Sequence, residues 1–221
     1  MRWLSALAGA FGVSLVCLVG FAWVAYGVET GSLSGFDRFV IRLVQGTETE
    51  PLTKAMEAVS LIGSTKPVTA IALTIMAILF FALGHRKELI LFVIALVGST
   101  VFNSVLKNLF ERERPSLHRL VEVAGYSFPS GHSMAAISLY GATAYLLWRH
   151  IASRTGRALL IAAVAIVVAA IGFSRIYLGV HYPSDVLGAY LISGCWLAVS
   201  IGVFRRLAES RNQAASARTL T

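Results

Sequence analysis

Six apolar runs divide the chain, and each is long enough, or nearly long enough, to cross a bilayer. A helix that spans the hydrocarbon core needs about 20 residues at about 1.5 Å per residue. The runs are Leu4 to Val28, Pro67 to Gly84, Leu89 to Leu106, Ser133 to Trp148, Ala158 to Phe173 and Val186 to Phe204. The fourth and fifth runs have only about 16 residues, so adjoining loop residues are expected to extend them. The pattern predicts an all-α fold, a bundle of six transmembrane helices.

The stretch between the first two runs, residues 35 to 63, mixes charged and apolar residues at helical spacing. One face of a helix here carries the apolar residues Phe36, Phe39, Val40 and Leu43. The charged residues Asp37, Arg38 and Arg42 point elsewhere. We interpret the stretch as one or two amphipathic helices on the membrane surface. An ordinary surface loop with one helical turn is the alternative.

The composition also indicates a membrane protein. Of 221 residues, 57% are hydrophobic and only 14% are charged, whereas a globular domain has about 25% charged residues. The spans account for most of the length, so we predict one domain over residues 1–221, with a core at 36–204 and a polar, disordered tail at 208–221. The formal charge of +8 is scattered over short loops and the tail, so no nucleic-acid partner is expected, and no protein partner is predicted.

Basic residues in the short loops predict the orientation in the membrane. The ends expected to face the cytoplasm carry Arg2, Arg86 and Lys87, Arg149 to Arg157, and Arg205 to Arg211. Both termini are therefore predicted to be cytoplasmic. The first run, at about 24 apolar residues, is longer than the ~7–15 residues of a signal-peptide core and is interpreted as an uncleaved span. The expected location is the cell (inner or plasma) membrane.

Three polar clusters interrupt the apolar pattern at residues 107–115 (KNLFERERP), 129–132 (PSGH) and 174–185 (SRIYLGVHYPSD). Ionisable residues beside spanning segments are costly and usually functional. Two predicted helices separate the second cluster from the third, and an even number returns the chain to the same side. The clusters are therefore expected to meet on the extracytoplasmic side.

The first two clusters suit an anion. Arg114 precedes Pro115, which should end the helix there and turn the guanidinium inward. Its planar fork suits two phosphate oxygens, and the ammonium of Lys107 suits a third. In the second cluster, Ser130 is placed to cap a helix, Gly131 would let the backbone approach a ligand, and His132 could reach a bound ester. Taken singly, Lys107 is better explained as a snorkelling lysine and His132 as an interfacial polar residue.

The third cluster adds another cation and a histidine–carboxylate pair. Ser174 and Arg175 end the fifth run. His181 and Asp185 are four residues apart, so they share a helix face or form a hydrogen bond in a turn that leads into the sixth helix. A carboxylate fixes the tautomer of the ring and leaves its other nitrogen as base or nucleophile. The alternative is an ordinary His–Asp contact at a helix start.

A divalent metal is the other candidate ligand, because two histidines and an aspartate could bind one. Three nearby cations would oppose it, and the chain has no HExxH or DxD-like cluster. We therefore expect a site without metal or other cofactor.

In this order, the three clusters resemble the signature of the type 2 phosphatidic acid phosphatase (PAP2) family. The matching positions are Lys107, Arg114, Pro115, Pro129, Ser130, Gly131, His132, Ser174, Arg175, His181 and Asp185. The resemblance covers about residues 36 to 204. Within this range FDRFVIRL and the LIGS at 61–64 are similar to small bacterial members of the family.

The resemblance implies a role for each residue. His181 would attack phosphorus and form a phosphohistidine, and Asp185 would orient it. His132 would protonate the leaving oxygen and then activate water. The implied phosphate ligands are Lys107, Arg114, Ser130, Gly131 and Arg175. The family is expected to need no metal.

The spans favour a membrane lipid phosphate as substrate. The resemblance to small bacterial members implies phosphatidylglycerol phosphate and undecaprenyl diphosphate ahead of phosphatidate. Three alternatives stay open at this point: a lipid phosphotransferase, a relative acting on soluble substrates such as an acid phosphatase or haloperoxidase, and a lipid-phosphate binding or transport protein. A cysteine at Leu117 is predicted to be labelled from outside the cell.

Overall fold

The computed structural model describes residues 2–82, 84, 86–116 and 118–218, and over these residues it consists of helices and connecting loops without a strand. The α-helices are α1 (Arg2–Glu29), α2 (Ser34–Gln45), α3 (Glu50–Ile62), α4 (Thr65–Ala77), α5 (Arg86–Phe110), α6 (Gly131–Trp148), α7 (Arg154–Tyr177) and α8 (Pro183–Arg218). A π-helical turn, Ile78–Ala82, continues α4. The all-α prediction is confirmed.

Within these described residues, five helices are long and apolar enough to cross a membrane. Their apolar segments are Gly9–Glu29, Thr65–Ala82, Lys87–Phe110, Arg154–Tyr177 and Pro183–Leu207. Between 11% and 33% of each segment is buried inside the protein, so most of its apolar surface faces outward, where lipid can cover it.

Helix α6 corresponds to the fourth predicted span, but it is not among these five. It lies at the centre of the bundle and packs against α5, α7 and α8. Small and polar residues such as Ser133, Ser138 and Ala142 are buried in these contacts, and small residues allow neighbouring helices to approach closely. Central burial therefore accounts for the small and polar residues of α6, and the six-span count stays a prediction.

The amphipathic stretch forms two helices, α2 and α3, as one of the two interpretations predicted. Phe36, Phe39 and Leu43 of α2 are exposed, and Phe39 has 63% of its surface accessible. Asp37 lies away from these exposed residues and is only 1% exposed. The apolar face of α2 is thus available to lipid, and its acidic residue points into the protein.

Two helix ends differ from expectation. Helix α5 ends at Phe110, and Glu111 follows in the left-handed region with φ of 44°, so the predicted end at Pro115 was wrong. Helix α8 continues to Arg218, so its backbone is helical in most of the stretch for which the sequence predicts a disordered tail. Residues 219–221 lie outside the described residues, as does Leu117.

Candidate active site

The three polar clusters meet at one end of the bundle, where α5 and α7 end and α6 and α8 begin. Arg114 of the first cluster donates to the carbonyl oxygen of Val180 at 2.8 Å and lies 3.2 Å from Nε2 of His181 in the third. The backbone N–H of Ser130 in the second cluster donates to the carbonyl oxygen of Asp185 at 3.1 Å. The expectation that the clusters meet is confirmed.

His181 and Asp185 form a buried pair across the start of α8. Nδ1 of His181 lies 3.2 Å from Oδ2 of Asp185, and the backbone N–H of Tyr182 donates to the same oxygen at 2.9 Å. A carboxylate only accepts, so we assign the ring proton to Nδ1. The lone pair then lies on Nε2, which faces Arg114. The turn leading into the helix, rather than a shared helix face, produces this contact.

The protein keeps His181 neutral. The side chain is 2% exposed, and burial lowers its pKa from 6.5 to about 4, although the hydrogen bond and charge of Asp185 act in the opposite direction. A neutral imidazole keeps a lone pair, here on the Nε2 that accepts from Nη1 of Arg114 at 3.2 Å, and this is the form in which histidine acts as a nucleophile or base.

Arg114 is fixed by backbone carbonyl groups rather than by carboxylates. Besides Val180, it donates to the carbonyl oxygens of Gly125 at 2.8 Å and Tyr126 at 3.1 Å. The ammonium of Lys107 donates to the same Tyr126 oxygen at 2.5 Å. Carbonyl groups position these cations without neutralising them, so their charge remains available to an anion.

Arg175 is the third cation, near the end of α7. It is 4% exposed, and one Nη donates to the hydroxyl of Ser60 in α3. Its Nε is buried and has no hydrogen-bond partner. A buried donor without a partner costs about 1–3 kcal/mol, and an anion bound in the adjoining cavity would remove that cost.

The PSGH segment begins α6 as predicted. Ser130 occupies the N-cap position with extended backbone, but its hydroxyl makes no capping bond and instead accepts from the hydroxyl of Ser133 at 3.1 Å. Gly131 is close-packed, since a Cβ there would lie 3.1 Å from Oδ1 of Asn103. Gly131 and His132 both line the cavity described next.

A cavity of about 480 Å³ connects this polar end to an apolar groove. The polar end is lined by Lys107, Arg114, His132, Arg175 and His181. The groove continues between α4 and α5 along Val68, Ala72, Met76, Val93, Leu96 and Val97. One cavity therefore offers cations for a headgroup and apolar walls for a chain.

Two residues that the sequence did not single out, Arg112 and Asp37, belong to this arrangement. Arg112 donates to Asp185 at 2.5 Å and to Asp37 at 2.8 Å. The one sequence feature that could have indicated Asp37 was its place outside the apolar face predicted for α2. In the sequence, Arg112 and Arg114 are equally good phosphate ligands, and only the fold separates them.

The arrangement offers little to a metal ion. In the part of the chain that the structure describes, no group of three or more His, Cys, Asp or Glu side chains is placed to bind one. Three cationic side chains line the polar end of the cavity. The chemistry of this donor set therefore fits an anion better than a cation.

Comparison with known families gives a match to the model of the PAP2 superfamily over residues 88–209. The matched range holds all three clusters and more than half of the chain. This chain belongs to the PAP2 superfamily. Together with its apolar helices, this makes it a multi-pass membrane protein, and the resemblance inferred from the motifs is confirmed.

Relatives of this chain are named phosphatases. It is 32% identical to phosphatidylglycerophosphatase B of Bacillus subtilis (strain 168), over 77% of this chain and 84% of that protein. It is 30% identical to undecaprenyl-diphosphatase BcrC of the same organism, over 57% of this chain and 63% of that protein. The crystal structure of a transmembrane PAP2 type phosphatidylglycerolphosphate phosphatase from Bacillus subtilis superimposes with a TM-score of 0.79 at 25% identity, covering 87% of this chain and 96% of that one.

Proposed function

We propose that this protein is a lipid phosphatase that removes phosphate from a lipid monoester or diphosphate without a metal ion. One observation carries the proposal: the neutral, carboxylate-bound His181 lines a cavity that has cations at one end and apolar walls at the other. His181 supplies a nucleophile, the cations form a phosphate site, and the apolar walls leave a place for the lipid chain.

In the first step, Nε2 of His181 attacks phosphorus and the P–O bond to the lipid breaks. His132 donates its proton to the leaving oxygen, so the lipid departs as an alcohol or as a monophosphate. The ring of His181 then carries a positive charge, which Asp185 stabilises across the Nδ1–H bond. In the second step His132 takes a proton from water, the water oxygen attacks phosphorus, and phosphate leaves His181.

The phosphoryl oxygens are assigned to Lys107, Arg114 and Arg175, with Ser130 and the backbone N–H of Gly131 at the start of α6. The unpartnered Nε of Arg175 supports this assignment, because a phosphate oxygen would satisfy it. Fixed donors that face the developing charge stabilise the transition state without having to reorganise. These cations would do the work of a metal ion and would also repel one.

The groove between α4 and α5 supports a lipid as substrate. A headgroup can enter at the polar end while its chain lies along Val68, Ala72 and Met76. The named activities of the relatives favour phosphatidylglycerol phosphate and undecaprenyl diphosphate. Both carry a terminal phosphate, which this cavity suits.

We further propose six spans, with α6 as the fourth, and both termini in the cytoplasm of a cell (inner or plasma) membrane. The basic residues at the ends opposite the site support this orientation. The site would then face the extracytoplasmic side and take its substrate from that leaflet.

The test is phosphate release by the detergent-solubilised protein in excess chelator, using phosphatidylglycerol phosphate, undecaprenyl diphosphate, phosphatidate and a soluble phosphate ester. Release from a lipid that withstands the chelator and is lost in His181→Ala supports the proposal. Release that requires an added divalent ion, or that survives His181→Ala, contradicts it.

A further inference from the structure

A buried ion network links the surface helix α2 to the histidine–carboxylate pair. Arg112 is shared between two carboxylates: Nη1 lies 2.5 Å from Oδ1 of Asp185, and Nη2 lies 2.8 Å from Oδ2 of Asp37. Both carboxylates are almost fully buried, at 0% and 1% exposure. The guanidinium also stacks on the ring of Tyr182, 4.0 Å from its centroid.

Asp37 also holds the first turn of α8. Its Oδ1 accepts from the backbone N–H of Ser184 at 2.9 Å, and its Oδ2 accepts from the hydroxyl of Ser184 at 2.6 Å. The Ser184 hydroxyl lies 2.8 Å from Nη1 of Arg112. Asp37 lies 147 residues before Ser184 in the sequence. It thus fixes both the helix turn that carries Asp185 and Arg112, the cation that contacts Asp185.

These contacts separate the two arginines of the first cluster. Arg114 is held by uncharged carbonyl groups and lines the cavity, whereas Arg112 is committed to two carboxylates and does not line it. An arginine with one buried carboxylate could turn toward a phosphate, but the second carboxylate opposes that movement. Arg112 therefore acts on Asp185 rather than on the substrate.

We infer that Asp37 and Arg112 are positioning residues for the reaction, which hold the Asp185 carboxylate against Nδ1 of His181. One oxygen of Asp185 is bound by Arg112 and the other by the Tyr182 N–H and the ring, so the plane of the carboxylate is fixed. This inference rests on the proposed role of His181 as nucleophile. It predicts a loss in turnover rather than in substrate binding, because neither residue touches the cavity.

The competing explanation is that Asp37 only caps α8 and stabilises the fold. Both explanations predict that Asp37→Asn lowers activity in the otherwise unchanged protein. They predict different effects in a protein that already carries Asp185→Asn. If Asp37 acts through the Asp185 carboxylate, Asp37→Asn has little further effect in an Asp185→Asn background. A purely structural role would lower activity by the same factor in both backgrounds.

The experiment measures kcat, KM and thermal unfolding of Asp37→Asn and Arg112→Lys, alone and in the Asp185→Asn background. Arg112→Lys keeps the charge, but a lysine ammonium cannot contact Asp37, Ser184 and Asp185 in the geometry of the planar guanidinium. The matched controls are Arg38→Gln and Glu113→Gln, exposed neighbours of the two positions. His181→Ala supplies the blank.

In metal sites, the residues that orient the ligands contribute about 10–100-fold to activity, and we take the same scale for residues that orient a catalytic carboxylate. We expect kcat to fall by about that factor in each single variant, with KM within about 2-fold of wild type, both controls unchanged, and less than about 3-fold further loss in the Asp185→Asn background. Wild-type kcat in both single variants, or an equal loss in both backgrounds, overturns the inference while leaving the proposed function intact. Activity that survives His181→Ala would instead overturn the proposed function.

Discussion

Replacing Arg175 with lysine tests the proposed phosphate site most sharply. The guanidinium is almost fully buried, one nitrogen is bound to Ser60, and its Nε has no partner. An ammonium keeps the charge but cannot bind Ser60 and present a second donor to a phosphate in the same geometry. The variant should therefore fold normally but stabilise the transition state less well.

The expected size of the effect follows from the bond lost. A hydrogen bond to a charged group contributes about 1.5–3 kcal/mol, so losing the one to the phosphate costs about that much. At 1.36 kcal/mol per tenfold change, kcat/KM should fall by about 10- to 200-fold. Ser60→Ala, which removes only the hydroxyl that positions the guanidinium, should cost less than Arg175→Lys.

The assay is phosphate release from the preferred lipid over a range of concentrations, with thermal unfolding of each variant in the same detergent. Arg38→Lys, at an exposed position on α2, is the matched control and should behave as wild type. Wild-type kcat/KM in Arg175→Lys would show that the Arg175 guanidinium does not bind the phosphate. A loss of activity accompanied by an equal loss of folded protein would contradict this role of Arg175 as well.

Three other predictions follow from the geometry. Because the pKa of His181 is about 4 in the folded protein and ordinarily 6.5, its protonation should not reduce turnover until the pH approaches 4. The free energy of unfolding should fall by on the order of 3 kcal/mol from pH 7 to pH 4, since the unfolded chain binds the proton first; thermal unfolding of His181→Ala should lack this slope. Gly179→Ala should abolish activity and lower the melting temperature far more than Gly125→Ala. Both have positive φ, but only at Gly179 would the new Cβ lie 1.9 Å from a backbone carbonyl oxygen. In a cysteine-free background, Ser116→Cys should react with an impermeant thiol reagent on intact cells and Thr155→Cys only after lysis; the reverse would contradict the proposed orientation.

Much of the helical layout could be predicted, because spanning helices must be long and apolar whatever they pack against. The parity of the helices also correctly predicted that the clusters meet. Helix α6 shows where this reasoning ends. A helix surrounded by other helices can carry small and polar residues, so its composition alone does not identify it as a membrane span. The end of α5 at Phe110 depends on the left-handed backbone of Glu111, which no residue pattern signals.

The candidate site was predictable where a residue's type determines its chemistry, as for the pairing of His181 with Asp185. It was not predictable where two residues have the same chemistry. Arg112 and Arg114 differ only in the partners that the fold brings to them, two carboxylates in one case and carbonyl groups in the other. Asp37 was assigned to a polar helix face, and only tertiary packing reveals that its side chain is buried.

A phosphohistidine at His181 can be detected directly by trapping the phosphorylated enzyme. The protein is mixed with a lipid substrate that carries a radiolabelled terminal phosphate, quenched within milliseconds in alkali, and digested to locate the label. We expect label on His181 that withstands alkali, is released by acid and is absent from His181→Ala, while His132→Ala retains it for longer. Label on another residue, or rapid phosphate release with no labelled protein at any time, would exclude a phosphohistidine at His181.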